Sequence, residues 1–172
     1  MKNIFKLVLL IMTIATVAVA APQEKKGVRK DRSTLPIKIK SNDLAADNKG
    51  RIAVFTGKVV ARHDDITIYS EKLTVYYAEK QGDVEKIVAE RNVRIVQDNR
   101  IGTSEHATYE SKQGLITLTI NPKVMQDNDT VTGKVIRYYL DEDRSVVTSE
   151  GSTRVEAIIH PKPRKSDAAP RK

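Results

Sequence analysis

Arg51–Tyr77, RIAVFTGKVVARHDDITIYSEKLTVYY, is the stretch whose reading decides the fold. Val54, Phe55, Val59 and Val60 flank Thr56-Gly57-Lys58, Asp64-Asp65 leads into Ile66-x-Ile68, and Leu73-x-Val75-x-Tyr77 follows. Apolar residues two apart, β-branched enrichment and short polar turns predict strands with one buried face. No stripe recurs at the helical period. Gly57, inside a strand pattern, predicts a bulge or a close backbone approach. The apolar phase slips from even positions (Ile66, Ile68) to odd ones (Leu73, Val75), so one face keeps both sets only if the strand bends near Ser70–Lys72. The expectation is a curved, rolled antiparallel sheet.

Outside this stretch the pattern recurs. Lys49-Gly50, Gln81-Gly82 and Gln113-Gly114 mark turns 32 residues apart, and Asp143-Arg144 follows 30 later. A small hydroxyl stands three residues before an apolar one at Ser41/Leu44, Ser70/Leu73, Ser104/Ala107 and Thr132/Val135, and valines open strands at Val59, Val93, Val124 and Val155. Four imperfect units over 37–159, each unable to bury its own face, must stack on their neighbours. Turns repeated every few residues in an ordinary meander are the plainer alternative. The remaining strands are read at Ile37-x-Ile39, Val84–Val96 (broken at Arg91-Asn92), Ile101–Tyr109, Leu115–Ile120, Val131–Leu140 and Val146–Ile159. Asp98-Asn99, Asp127-Asn128-Asp129 and Asp141-Glu142-Asp143 connect them. The result is one all-β domain of the sandwich, jelly-roll or solenoid type.

The ends are of different composition. Lys2 and Lys6 precede an apolar run from Leu7 to Ala21 that ends in Ala18-Val19-Ala20, the pattern of a secretory signal cut after Ala20. The run is shorter than the roughly 20 residues of a membrane-spanning helix, although an uncleaved anchor is the competing reading. The expected organisation is a signal peptide over 1–20, a flexible basic leader over 21–34, the β domain over 35–160 and a disordered basic tail over 161–172. The chain carries +8, of which the signal holds +2, Gln23–Arg32 holds +3 and Pro161–Lys172 holds +4, so Ser33–His160 is nearly neutral at −1. Nucleic acid is thereby disfavoured, because its binders gather Lys, Arg and stacking aromatics on one face of the fold. The basic ends read as solvated tails or as contacts to anionic lipid headgroups.

The chemistry of sites is sparse. With no cysteine in the chain, thiol catalysis, thiolate metal sites and disulfides are excluded. His63-Asp64-Asp65 sits where a hairpin turn is expected and lacks a partner cluster for a metal. In Ser104-Glu105-His106, regular alternation puts Ser104 and His106 on one face and Glu105 on the other, so no relay forms. The Asp-rich turns lack calcium-loop spacing, and no nucleophile elbow or phosphate loop occurs. No catalytic residue, metal or cofactor is expected. What remains is an interior of Ile, Val, Leu, Ala, Thr and Ser with no Trp and little Phe. That composition suits a sheet rolled around something supplied from outside, and suits an ordinary Ile/Val core as well.

Pro36–Ser41 (PIKIKS), Phe55–Val59 (FTGKV), Gln97–Asn99 (QDN) and the strand Leu115–Thr119 together resemble the OstA-like family. The resemblance runs from about Leu35 to Ile159. It implies a twisted, semi-open antiparallel β-jellyroll in the periplasm, whose apolar interior shields the lipid A acyl chains of lipopolysaccharide. It also implies a role in bridging inner and outer membranes for outer-membrane assembly, by head-to-tail self-association between LptC-like and LptD-like partners. By matching position, Ile37, Ile39, Val93 and Tyr109 would face the lipid. The full expected lipid-binding set adds Val54, Val59, Ile66, Ile68, Leu73, Val75, Ile95, Ile101, Ile116 and Leu118. Lys58, where the family commonly has Asn, and Asn121-Pro122, where it often has Gly-Asn, depart from the pattern. An LptC-like component kept at the membrane by its N-terminus, and a secreted structural or adhesive β-sandwich without lipid, are the competing functions.

Overall fold

Every long strand of this protein changes direction near its middle, and that governs the architecture. The computed structural model describes residues 35–79, 83–151 and 154–161. The expected signal peptide, the leader, all of the tail but Pro161, Gln81-Gly82 and Thr153 lie outside the described residues. Among the described residues, twelve strands form one antiparallel sheet: β1 Lys38–Lys40, β2 Asp43–Asp47, β3 Ile52–His63, β4 Ile66–Tyr77, β5 Val84–Gln97, β6 Arg100–Glu110, β7 Leu115–Thr119, β8 Lys123–Gln126, β9 Asp129–Thr132, β10 Val135–Tyr139, β11 Arg144–Thr148 and β12 Glu156–Ile158. The main path runs β1-β3-β4-β5-β6-β7-β10-β11. β2 continues β1 along β3, β8 continues β7 along β6, and β9 and β12 extend outward from β8.

Register breaks lie on a diagonal through this sheet, between Thr56 and Val59, Tyr69 and Lys72, and Glu90 and Val93. Left-handed pairs occupy alternate crossings: Gly57 and Lys58 (φ 79 and 49), Arg91 and Asn92 (63 and 52), Ile120 and Asn121 (59 and 57). Between them come serines that bond the carbonyl two residues ahead: Ser41 to Asp43 at 2.8 Å, Ser70 to Lys72 at 3.0 Å and Ser104 to His106 at 3.0 Å. The hydroxyl period seen in the sequence is therefore the period at which the chain recrosses one seam. Left-handed pairs insert residues and sharpen the twist; the serines supply a local acceptor bond where the ladder is interrupted.

The seam folds the sheet into two facing halves. Half I holds β2, 52–56 of β3, 72–77 of β4, 84–90 of β5, 106–110 of β6, β7, β10 and β11. Half II holds β1, 59–63 of β3, 66–69 of β4, 93–97 of β5, 100–103 of β6, β8, β9 and β12. Their inner faces pack together. One core cluster joins Ile66 and Ile95 of half II to Ala89, Ile116, Leu118 and Ile136 of half I; the other joins Val59 and Ala61 to Leu73, Val75 and Ile87. Leu73, at 0% exposure, and Ile136, at 1%, are the deepest large side chains.

The bulge at Gly57, the bend at Ser70–Lys72, the break at Arg91-Asn92 and the turn at Asp64-Asp65 all fall where the sequence places them. Four readings are corrected. Val131–Leu140 is two strands, β9 and β10, parted at Gly133-Lys134 because the chain crosses the seam there. Val146–Ile159 likewise divides into β11 and β12, in different halves. β2, where Leu44, Ala45 and Ala46 stand in a row with no alternation, carried too little signal to be read as a strand, and the strand entry read at Val124 is the short β8. Ser104 and His106 lie on opposite faces, Ser104 paired with Val93 inside and His106 with Glu90 outside, because the seam shifts the phase at Glu105.

Candidate functional site

The space between the two halves is the candidate site. Three cavities, of about 60, 30 and 10 Å³, lie between the inner faces and share lining residues. The largest is lined by Ile66, Ile95, Gly102 and Val124 of half II and by Ile116, Leu118, Ile136 and Tyr138 of half I, with Gln97, Arg100 and Ser145 at one end. The next is bounded by Ile37, Ala61, His63, Ile66, Ile68, Ile87, Tyr109, Ile116 and Leu140. The third lies among Ile68, Ile87, Ala89, Ile95, Ala107, Tyr109 and Ile116, and Ile116 borders all three. Walls of this kind accept hydrocarbon and offer it few hydrogen-bond partners.

Small side chains make the room. Gly102 stands inward between Ile95 and Val124 in the cross-strand row, and a Cβ there would come within 3.0 Å of Leu118 Cδ1. Ala61, Ala89 and Ala107 do the same elsewhere. Among the described residues, aromatic rings are kept from the interior except Phe55, Tyr77, Tyr109 and Tyr138. Tyr69, Tyr76 and Tyr139 point outward and carry cross-strand cations: Arg94 at 5.5 Å, Lys86 at 4.5 Å and Arg144 at 4.1 Å from the ring centres.

At the end of the largest cavity, away from the seam, the halves are joined by polar contacts. Arg100, first residue of β6 in half II, donates from Nη1 to the Tyr138 hydroxyl at 2.7 Å and pairs with the Asp143 carboxylate; Tyr138 and Asp143 belong to β10 and the β10–β11 turn of half I. Tyr138 in turn donates to Asp143 Oδ1 at 2.9 Å, and Arg100 Nε reaches Gln126 at 3.3 Å. The hydrogen bond from Arg100, followed by that from Tyr138, holds the Asp143 carboxyl below its ordinary range. Burial pushes the Tyr138 phenol up, and the Asp143 carboxylate raises Arg100 further. All three groups thus keep their neutral-pH forms.

Of the residues expected to meet lipid, Ile37, Ile66, Ile68, Ile95, Tyr109, Ile116 and Leu118 line the cavities. Val59, Leu73, Val75 and Val93 are packed solid near the seam, at 0–2% exposure, and Ile39 packs against the core beside them. Val54 and Ile101 are corrected: both sit on the outer face. Ile101 pairs with Val96 and Met125, opposite in phase to inward Gly102. Counting back from Tyr109 by twos selects Ile101 only if β6 has no phase shift, and the seam at Glu105 supplies one. Val54 lies between inward Ala53 and Phe55, paired outward with Ala45 and Thr74. Ile87, Gly102, Val124, Ile136, Tyr138 and Leu140 were missed. Ile136 and Tyr138 share a period of two that would have found them, whereas Gly102 has no hydrophobic signal at all.

A family model described as "LptA/(LptD N-terminal domain) LPS transport protein" matches residues 38–144. The lipopolysaccharide export system protein LptA of Escherichia coli K12 is 27% identical over 134 residues, covering 73% of this chain and 71% of that protein. LptA of Shigella flexneri matches to the same extent. Among solved structures, LptH of Pseudomonas aeruginosa, described as the LptA-homologous periplasmic component of a lipopolysaccharide transport device, aligns with a TM-score of 0.69 at 18% identity. That alignment covers 77% of this chain and 100% of LptH, and it establishes likeness of fold.

Proposed function

The chain belongs to the LptA/LptD N-terminal-domain family of lipopolysaccharide transport proteins, and we propose that it is a periplasmic lipopolysaccharide-binding transport protein that shields acyl chains between its two half-sheets. The observation that carries this reading is the continuous apolar, small-residue lining between the halves. Burying one methylene is worth about 0.8 kcal/mol, so a twelve-carbon chain gains roughly 10 kcal/mol gross on leaving water. That is the barrier that such a lipid meets in crossing an aqueous compartment, and shielding removes it without bond chemistry. Cavities of 60 Å³ and less are well below the roughly 300–1,000 Å³ of pockets that enclose drug-sized ligands, so the halves must part to admit a chain. Parting exchanges contacts between Ile, Leu and Val for contacts of the same side chains with hydrocarbon, and little apolar area meets water.

Delivery through a signal cleaved after Ala20, and work between LptC-like and LptD-like partners, complete the proposal. The edges suit end-to-end assembly. β2 is exposed throughout, with Leu44 at 59%, and β12 is exposed with Ile158 at 51% and Ile159 at 70%. Open edges with unpaired backbone groups favour strand addition from another chain. Joining the last edge of one copy to the first of the next does not close on itself and makes a filament.

Photo-crosslinking tests the lipid reading. A photoreactive residue replacing Ile68 or Tyr109 should capture lipopolysaccharide, while one replacing Arg94 or Val96 on the outer face should not. Equal capture from both faces by folded protein would overturn it.

A further inference from the structure

The seam and the polar cluster lie at opposite sides of the apolar space. At the seam the halves are joined by continuous chain through bulged strands. On the far side, the residues that join them across the largest cavity are Arg100 from half II and Tyr138 and Asp143 from half I. Arg100 and Tyr138 also form the wall of that cavity, where its lining turns from hydrocarbon to polar groups. Anything that enters the space from this side must pass between them. We propose that Arg100, Tyr138 and Asp143 are a latch across the mouth of the apolar interior, closed when the halves are packed and broken when an amphiphile's chains enter.

The chemistry suits a contact that is meant to be released. Arg100 is about one-third exposed and Asp143 about two-thirds, at 34% and 67%, so water replaces each partner readily when the pair parts. A fully buried pair would leave an uncompensated charge on opening and would lock the halves together. Exposed pairs contribute little to global stability, which lets the latch set the ease of parting without deciding whether the protein folds. Tyr138 provides the second half of the device. Its ring lies against the apolar cluster while its hydroxyl serves both charged partners, so displacement of the ring by hydrocarbon and loss of the polar contacts occur together. The guanidinium freed in this way stands at the polar end of the cavity. This inference deepens the lipid-binding reading and rests on it for the identity of what enters; the parting of the halves itself does not.

The test has one readout without lipid and one with it. Spin labels on the Asp98→Cys/Glu142→Cys variant, in a chain with no native cysteine, report the separation of the two lips in the full protein. In the Asp143→Asn form the distance distribution should shift toward longer separations, as it should in Tyr138→Phe. The charge-swapped Arg100→Asp/Asp143→Arg form should return part of it to the native position. In parallel, the initial rate of lipopolysaccharide capture by a photoreactive residue at Ile68 should rise threefold or more in Asp143→Asn. Unchanged distances and an unchanged capture rate in that variant would overturn the latch, even with lipid captured normally. Lengthened distances with no capture by any form would uphold the latch and sink the lipid reading instead.

Discussion

At the scale of single residues, three kinds of atom hold the seam and the mouth. Ser104 and Ser70 are buried and satisfy the carbonyls of His106 and Lys72 where the ladder is broken. Replacing Ser104 by Ala removes that bond and should cost about 1 kcal/mol, read as a lower urea midpoint with unchanged slope. Leu73 is enclosed on all sides by both halves, and Leu73→Ala should cost about 3 kcal/mol through the cavity that it leaves. Asp143 makes a pH prediction with a definite sign. Its carboxyl is held below the ordinary range by Arg100 and then Tyr138, so its contribution is present above the unfolded value, about 4, and is lost as pH falls through the lower folded value. Tyr138 and Arg100, both raised, stay protonated throughout, and Gln126 beside them does not titrate. The spin-label separation across the mouth should therefore be constant from neutral pH to about pH 4 and lengthen below it. In Asp143→Asn the same titration should be flat, which separates this carboxyl from others such as Glu90, lowered by its bond to Lys72.

Among the elements, the corner from β7 to β8 is the most strained. Ile120 holds φ 59 and is 57% exposed, a β-branched side chain in the left-handed region at a place where it buries little. Its neighbour Asn121, at φ 57, is of a type that tolerates that region. Ile120→Asn should raise stability by about 1 kcal/mol, measured by chemical denaturation; a loss would mean that Ile120 makes a contact on the outer face worth more than the strain. Among the described residues β12 pairs only with β9, through Glu156–Ile158, and all three residues are exposed. Removing residues 154 onward should leave the two core clusters intact, because neither contains a residue beyond Val147. If the last edge is what joins one copy to the next, sedimentation velocity over a concentration series should show open-ended oligomers for the intact protein and a monomer for the truncated one.

For the molecule as a whole, the two halves behave as facing apolar walls hinged at a bulged seam. The inner walls are filled by aliphatic side chains with glycine and alanine at the points of closest approach, so room for a guest depends on separation of the halves as well as on side-chain size. Gly102 is the place to test this. A valine there meets Leu118 first and Val124 next, and overpacking of this kind typically costs 1–3 kcal/mol. Gly102→Val should retain the β circular-dichroism spectrum and reduce lipopolysaccharide capture at Ile68 severalfold. Capture unchanged in the folded variant would place the guest elsewhere between the halves.

Much of this could be read from the chain alone, since the features concerned are local. The period of two, the Asp-rich turns, the bulge at Gly57, the slip at Ser70–Lys72 and the break at Arg91-Asn92 are each set by residues within a few positions of one another. So is the roughly thirty-residue recurrence of hydroxyl and apolar pairs, which proved to be the seam. The tertiary structure decided what depends on register between distant strands. A phase shift at Glu105 turned Ile101 outward and Gly102 inward, and no property of either residue announces it. The divisions of Val131–Leu140 and Val146–Ile159 follow from which strand each segment finds as a neighbour. Arg100, Tyr138 and Asp143 become a cluster only when the sheet folds over, because 38 and 43 residues separate the arginine from its partners. Hydrophobic alternation fixes each strand's two faces; the bulges and the closure of the two halves fix which face becomes the inside.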